Sequence, residues 1–485
     1  MKRFSALFLL MFVCICMLAQ SINPKREMRA TWLTTVVNID WPVSTTKGME
    51  AQQKELISLL DACVKFNMNT VMFHIRPACD ALYKSSYEPW SSYLNNGRGV
   101  DPGWDPLQFC IDECHKRGIA VILDVVFNHA TGQFPYAKMW WDSGKNKTAS
   151  NNPFFNVDAP HNWSVFHDFN HTYAETVNYF DEVLEYWLEE YNIDGFRFDL
   201  TKGFVQNPGN YDAYGYSAQR IGILKHYAQT IRAVDEDAYV IFEHFCDQSE
   251  ENELYNSVGA LCWNNNQRNG YKQSVLGYTG SSFADFKKGR INNIETHDEE
   301  RIAYKAITWG DSKSNWAVIS KRLQAAYAFH FLTPYPKMMW QFGELGYDVS
   351  INANDSGVVG SGDEYRTHRK PVRWEYFNDA NRKALYDALS KIISWRTDNE
   401  EYYGQDNLSV HSWRTGDAEM SGKTLVMDKV IVVANFTNAE ATTNVSVPSS
   451  ITGQWKNLLT GESVEVGGTY SVTLAGSDYI VLVRE

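Results

Sequence analysis

The chain has 485 residues, of which 44% are hydrophobic and 21% charged, an ordinary globular composition with length for two to four domains at roughly 100–200 residues each. Against 45 Lys+Arg stand 58 Asp+Glu, a net charge of −13, so the basic footprint of a nucleic-acid or anionic-membrane surface is missing and such partners are not expected. Aromatic residues make up 14%, with 16 Trp, 27 Tyr and 25 Phe, which suits a sugar-stacking surface and a large core alike.

In chain order, Lys2 and Arg3 precede an apolar run from Phe4 to Leu18 with small Ala19 behind it, which reads as an export signal over residues 1–19 and a periplasmic or extracellular product. The run falls short of the ~20 apolar residues of a membrane helix, no later segment is long enough, and membrane insertion after cleavage is not expected. From Met28 to Arg396 short β-rich runs alternate with amphipathic stretches. The strand candidates are Arg29–Val36, Thr70–Ile75, Ala120–Val126, Ile193–Asp199, Tyr239–Glu243, Gly259–Trp263, Ile291–Thr296 and Lys337–Gln341. Helical patterns lie between them, such as Glu55–Phe66, Leu107–Arg117, Tyr173–Tyr191 and Arg382–Trp395. Eight such units predict an α/β fold, a (β/α)8 TIM barrel over residues 28–396. The polar, aromatic stretch 129–172 after the third strand is read as a loop subdomain. Past Asn399 the runs Lys429–Asn435, Asn444–Val447, Ser463–Val466 and Tyr479–Val483 predict a C-terminal antiparallel β-sandwich over 400–485. Outside the signal, Cys63, Cys79, Cys110, Cys114, Cys246 and Cys262 form no zinc spacing and are read as buried thiols or an incidental disulfide.

In such a barrel the chemistry belongs at the C-terminal strand ends. Asp124 and His129 follow strand three, Arg197 and Asp199 strand four, Glu243 strand five, and His297 and Asp298 strand seven. Asp199, Glu243 and Asp298 thus point at one mouth, where like charges repel and at least one carboxyl keeps its proton near neutral pH. A protonated carboxyl beside an ionised one supplies the acid and the nucleophile of glycoside cleavage. Arg197, two residues before Asp199 and on the same strand face, would keep Asp199 ionised. Each piece has a plainer reading: a helix N-cap, a structural ion pair, or metal ligands at His297 and Asp298. Four unrelated strand ends would then have to carry these residues by coincidence.

These four segments resemble the signature regions of the α-amylase family of retaining glycoside hydrolases, and the resemblance runs from about Cys110 to the C-terminus. It implies that Asp199 is the nucleophile, Glu243 the general acid/base and Asp298 the transition-state stabiliser. It also implies that Asp124, His129, Arg197 and His297 surround the cleaved sugar and that Lys202 serves the leaving-group side. His167-Asp168-Phe169-Asn170 is similar to the family's calcium-associated segment, which makes Asn128 and Asp168 candidate ligands of a structural Ca2+. No organic cofactor and a monomer are expected. Gly203 departs from the pattern, standing where many amylases have a histidine.

The front departs further. Ala30 to Val36, Ile39-Asp40-Trp41-Pro42, Arg76 to Tyr83 and Glu88-Pro89-Trp90-Ser91 resemble a different bacterial family of glycoside-hydrolase-like barrels. The two resemblances imply two βα units of one family joined to six of another near Pro106–Cys110, without the amylase loop whose tyrosine stacks on the cleaved sugar. Tyr83 and Trp90 are the candidates to replace that ring. The resemblance implies hydrolysis of α-1,4-glucosidic bonds in starch, glycogen or maltooligosaccharides. The alternatives are an α-1,6-debranching or transglycosylating enzyme, or a glycan-binding protein without turnover.

Overall fold

The computed structural model describes residues 27–206, 212–264, 268–280, 282–405 and 407–484; the expected signal at 1–19 lies outside them. Eight parallel strands close into a barrel: β1 Arg29–Leu33, β2 Thr70–Phe73, β3 Ala120–Val125, β4 Gly195–Phe198, β5 Tyr239–Phe242, β6 Leu261–Asn264, β7 Arg290–Asn292 and β8 Lys337–Met339. The helices are α1 Met49–Lys65, α2 Pro106–His115, α3 Ala174–Tyr191, α4 Ala218–Val234, α5 Gln248–Val258, α6 Arg268–Leu276, α7 Ile302–Trp309, α8 Trp316–Leu332 and α9 Ala380–Asp398.

The two front strands close the sheet. Ala30 pairs with Met338 of β8 on one side and Thr70 of β2 on the other, and Thr70 pairs with Ala120 of β3. The join near residues 106–110 therefore keeps the strand register, and no sheet edge is left open. Alternation sends Ala30, Trp32, Met72, Ile122, Ile241, Trp263 and Met338 into the barrel interior, the filled core that this architecture requires. Gly195 opens β4 at φ 146°, and a Cβ there would stand 2.2 Å from the Tyr239 carbonyl oxygen. Glycine alone lets β4 lie this close to β5, which brings Arg197 and Asp199 beside Glu243.

The helix ring is less complete. α9 packs along α8, and between α1 and the segment leading into α9 there is a cavity of about 660 Å³, lined among others by Leu59, Ala62, Phe66, Phe342 and Phe377. It is bridged below by Arg396 Nη2 donating to Glu27 Oε2 at 2.6 Å and Asn67 Nδ2 to Ser394 Oγ at 2.9 Å, and above by Arg369 Nη1 to the Val43 carbonyl at 2.6 Å. The gap lies where the front units meet the last one.

Several strands end before their expected limits. Asp199 and Glu243 stand one residue past β4 and β5, and β7 ends at Asn292, so the His297-Asp298 pair lies in a loop instead of closing the strand. Residues 129–172 contain two short antiparallel pairs, including His129 opposite Asp168. At the C-terminus a six-stranded antiparallel sheet and the pair Ala441–Ser446 with Thr469–Leu474 enclose Val426, Ile431, Val433, Trp455 and Leu482. Cys63, Cys79, Cys110, Cys114, Cys246 and Cys262 are free thiols. Among the described residues no helix is long and apolar enough to cross a membrane.

Candidate active site

Arg197 is the centre of the constellation. Its side chain is 1% exposed. Nη1 donates to Asp124 Oδ1 at 2.8 Å and to Asp199 Oδ1 at 2.7 Å, and Nη2 lies 3.1 Å from Glu243 Oε2. The guanidinium rests over the rings of Trp32 and Trp263, 5.2 and 5.6 Å from their centroids. One fixed cation thus faces three carboxylates, an arrangement for which the rigid fork of arginine is suited and the point charge of lysine is not.

The carboxyls respond differently. Burial pushes Glu243 up to about 8, with the charges of Asp199 and Asp298 adding to the shift and Arg197 opposing it. Its Oε2 also accepts the Leu200 backbone N–H at 3.0 Å. Burial acts on Asp124 too, but there Arg197 and His74 outweigh it and hold the carboxyl below its ordinary value. Asp199 is more open, with a side chain 27% exposed. Glu243 is thus pushed toward its protonated form beside the more exposed carboxyl of Asp199, which accepts from the same arginine.

Asp298 Oδ1 lies 3.5 Å from Arg366 Nη2 and its Oδ2 3.6 Å from His297 Nε2. The His297 ring packs on Trp32 at 4.6 Å and on Trp340 at 5.8 Å. Burial lowers the His297 and His129 pKa values, while Asp298 opposes the shift at His297 and Asp199 opposes it at His129, so both imidazoles are held toward the neutral form. Lys202 is buried with Nζ 4.1 Å from the Trp163 ring centroid and 3.2 Å from that of Tyr214. Burial brings it down to about 8.

Of the two candidate stacking rings, Tyr83 is taken up by packing. Tyr83 is 6% exposed, with its ring edge-on to Trp187 at 4.9 Å and its hydroxyl donating to Glu88 Oε2 at 2.8 Å. Trp90 is half-buried against the same core cluster. Both belong to the packing of the β2–α2 connection. The rings present at the site are instead Trp32 and Trp340, at the ends of β1 and β8.

Asn128 and Asp168 come together, and each keeps a buried oxygen, Oδ1, without a hydrogen-bond partner, the kind of donor that calcium takes in a set of six to eight. Asp168 Oδ2 accepts from Asn156 Nδ2 at 2.7 Å, and the Trp163 carbonyl accepts from Asn128 Nδ2 at 2.8 Å. His161 Nδ1 accepts the Trp163 N–H at 3.1 Å, which places the imidazole proton on Nε2, 3.3 Å from Asp168 Oδ1. Gly203 packs close to this pair: a Cβ there would be 2.1 Å from Asn128 Oδ1.

Sequence reasoning missed His74, whose Nε2 is 2.8 Å from Asp124 Oδ2. It directly follows β2, so the strand-end rule that found the carboxylates could have found it. Trp32 could have been placed inside by alternation with Ala30. Arg366, His161 and Trp163 lie in irregular segments, where one chain carries no periodic signal.

The family model described as Glycosyl hydrolase-like 10 matches residues 27–229. Over 94 residues the chain is 49% identical to Glycosyl hydrolase YngK of Bacillus subtilis, covering 19% of this chain and 18% of that protein. It is 24% identical over 428 residues to the 1,4-alpha-glucan branching enzyme GlgB of Rhodopseudomonas palustris, covering 82% of this chain and 57% of the enzyme. The chain therefore spans less than two thirds of the length of either relative. Among solved structures, an alpha-amylase from Geobacillus thermoleovorans complexed with acarbose superposes with a TM-score of 0.67 at 16% identity, covering 95% of this chain and 99% of that one. The fold and the family match define a glycoside-hydrolase-like barrel. In particular, it is one with the α-amylase fold whose residues 27–229, from β1 into α4, are similar to the Glycosyl hydrolase-like 10 family.

Proposed function

We propose that the protein is an exported, retaining glycoside hydrolase that cleaves α-1,4-glucosidic bonds of starch, glycogen or maltooligosaccharides. The observation that carries this reading is the shared guanidinium: Asp199 and Glu243 sit on the two terminal nitrogens of Arg197, with Glu243 raised to about 8. Two carboxyls on one guanidinium suit double displacement, since a separation of about 5–5.5 Å goes with retention and a wider one with inversion. Glu243 protonates the leaving oxygen while Asp199 attacks the anomeric carbon; Glu243 then takes a proton from the water that releases the sugar. Asp298 and the neutral His129 and His297 surround the oxocarbenium-like state, and Lys202 serves the leaving group.

A transglycosylating variant of the same chemistry draws support from the likeness to the branching enzyme, which spans most of this chain. Product analysis on amylose and pullulan distinguishes the two, since hydrolysis raises reducing ends and transfer does not. Asp199→Asn and Glu243→Gln should each lower turnover on an activated maltoside by about 10²–10⁴-fold or more. Both variants retaining over a tenth of the rate would remove this assignment.

A further inference from the structure

A line of contacts crosses four neighbouring strands of the barrel. It starts at Trp32 in β1, passes His74 just after β2 and Asp124 in β3, and ends at Arg197 in β4. His74 Nε2 is 2.8 Å from Asp124 Oδ2. The other oxygen, Oδ1, accepts from Arg197 Nη1 at 2.8 Å, and the same Nη1 donates to Asp199 Oδ1 at 2.7 Å. Both oxygens of Asp124 are thus engaged, one by the imidazole and one by the nitrogen that also holds Asp199.

Trp32 Nε1 lies 3.1 Å from the same nitrogen of His74. An indole N–H only donates and an ionised carboxylate only accepts, so Nε2 serves one of them and not both. Burial opposes ionisation of Asp124, but Arg197 and His74 outweigh it and hold the carboxyl below its ordinary value. A bare nitrogen 2.8 Å from that carboxylate would set lone pair against lone pair, whereas an N–H there makes a charge-assisted hydrogen bond, roughly twice as strong as a neutral one. The proton therefore sits on Nε2. The residue is itself held in place: its backbone carbonyl accepts from Thr35 Oγ1 at 2.7 Å, and its ring stands edge-on to Trp32 with centroids 5.5 Å apart. The Arg197 guanidinium lies over the same indole at 5.2 Å, so Trp32 supports both partners of Asp124.

We propose, resting on the hydrolase reading above, that His74 is a positioning residue for the reaction: its Nε2–H fixes the Asp124 carboxylate, which sets Arg197 Nη1 and through it the Asp199 oxygen bonded to the same nitrogen. His74 acts through Asp124 and not on the sugar. The Asp124 side chain is 9% exposed, so water is a poor substitute for the imidazole, and an unpinned carboxylate turns about its terminal torsion, a broad one in aspartate. Turning it draws Oδ1 away from Nη1 and leaves that nitrogen with one anchor instead of two. The attacking oxygen of Asp199 moves with the guanidinium, and a misplacement of ~1 Å costs up to about 100-fold in rate.

The test compares His74→Gln, His74→Asn and His74→Leu with wild type as purified full chains, by kcat and KM on an activated maltoside, each below its own melting temperature. The amide nitrogen of Gln stands as many bonds from Cβ as Nε2 does and keeps an N–H, whereas that of Asn falls one bond short and Leu has none. The Asn and Leu variants should lose about 10- to 100-fold in kcat with KM nearly unchanged, and the Gln variant should recover most of that loss. The Asn–Gln pair decides the matter alone if the Leu variant does not fold. A Gln variant as slow as the Asn variant would overturn the inference, because the donor would be back without effect, and so would a raised KM at constant kcat, which would make His74 a sugar contact. Wild-type constants in all three variants would overturn it while leaving hydrolysis standing. No cleavage by the wild type would overturn the hydrolase reading and this inference with it.

Discussion

Asp199 and Glu243 are held by one arginine on unequal terms: Asp199 Oδ1 accepts a 2.7 Å hydrogen bond from Nη1 of Arg197 and keeps solvent contact, whereas Glu243 Oε2 stands 3.1 Å from Nη2 in a buried setting. Burial, more than any charge partner, is what raises Glu243. Removing the arginine should therefore harm folding as well as turnover. In Arg197→Met, Asp124 loses its buried counter-charge, a loss of about 3–5 kcal/mol, readable as a lower urea midpoint. An unchanged midpoint would mean that the three carboxylates do not depend on this cation.

The elevated Glu243 pKa sets the basic side of the pH profile. In the proposed mechanism Glu243 works in its protonated form, so kcat/KM should fall as pH rises through about 8, where the carboxyl loses its proton. Lys202 titrates in the same range, also near 8, and the two are separable: the limb should persist in Lys202→Met. If the limb vanished in that variant, the lysine would be the titrating group.

Much of this site was legible from residue order because barrel topology converts strand ends into neighbours. Asp124, Arg197, Asp199 and Glu243 each follow or end an apolar run, and parallel pairing in register sets Asp124 opposite Arg197. What escaped was whatever depends on irregular backbone or on competition for space. Tyr83 looked like a sugar platform but its ring is taken up by Trp187 and Tyr191. His161 sits in a loop with no periodicity, and its proton position depends on a single backbone N–H of Trp163. The gap in the helix ring follows from how α9 packs, which strand patterns do not encode.

Asn128 Oδ1 and Asp168 Oδ1, buried without hydrogen-bond partners, set a test for metal. Calcium bound there should raise the melting temperature, and excess chelator should lower it. A melting temperature unchanged by both would leave Asn128 and Asp168 as hydrogen-bonding residues only.

The cavity between α1 and the approach to α9 offers a stability test apart from the chemistry. Ala62 lines it, and Ala62→Leu adds apolar volume where room exists. The variant should gain about 0.5–2 kcal/mol, the usual return for filling a cavity, seen as a higher melting temperature. A lower one would show that the helices close up in solution and that the added side chain overpacks them.

The central claim, double displacement with Asp199 as nucleophile and Glu243 as acid, is tested most directly by proton NMR of a fresh maltooligosaccharide hydrolysate, before mutarotation mixes the anomers. Two inversions at the anomeric carbon restore its configuration. The α-anomer signal should therefore appear first, with the β-anomer growing in later at the uncatalysed rate. A β-anomer signal at the earliest times would contradict the account, because a single displacement by water leaves Asp199 no bond to form.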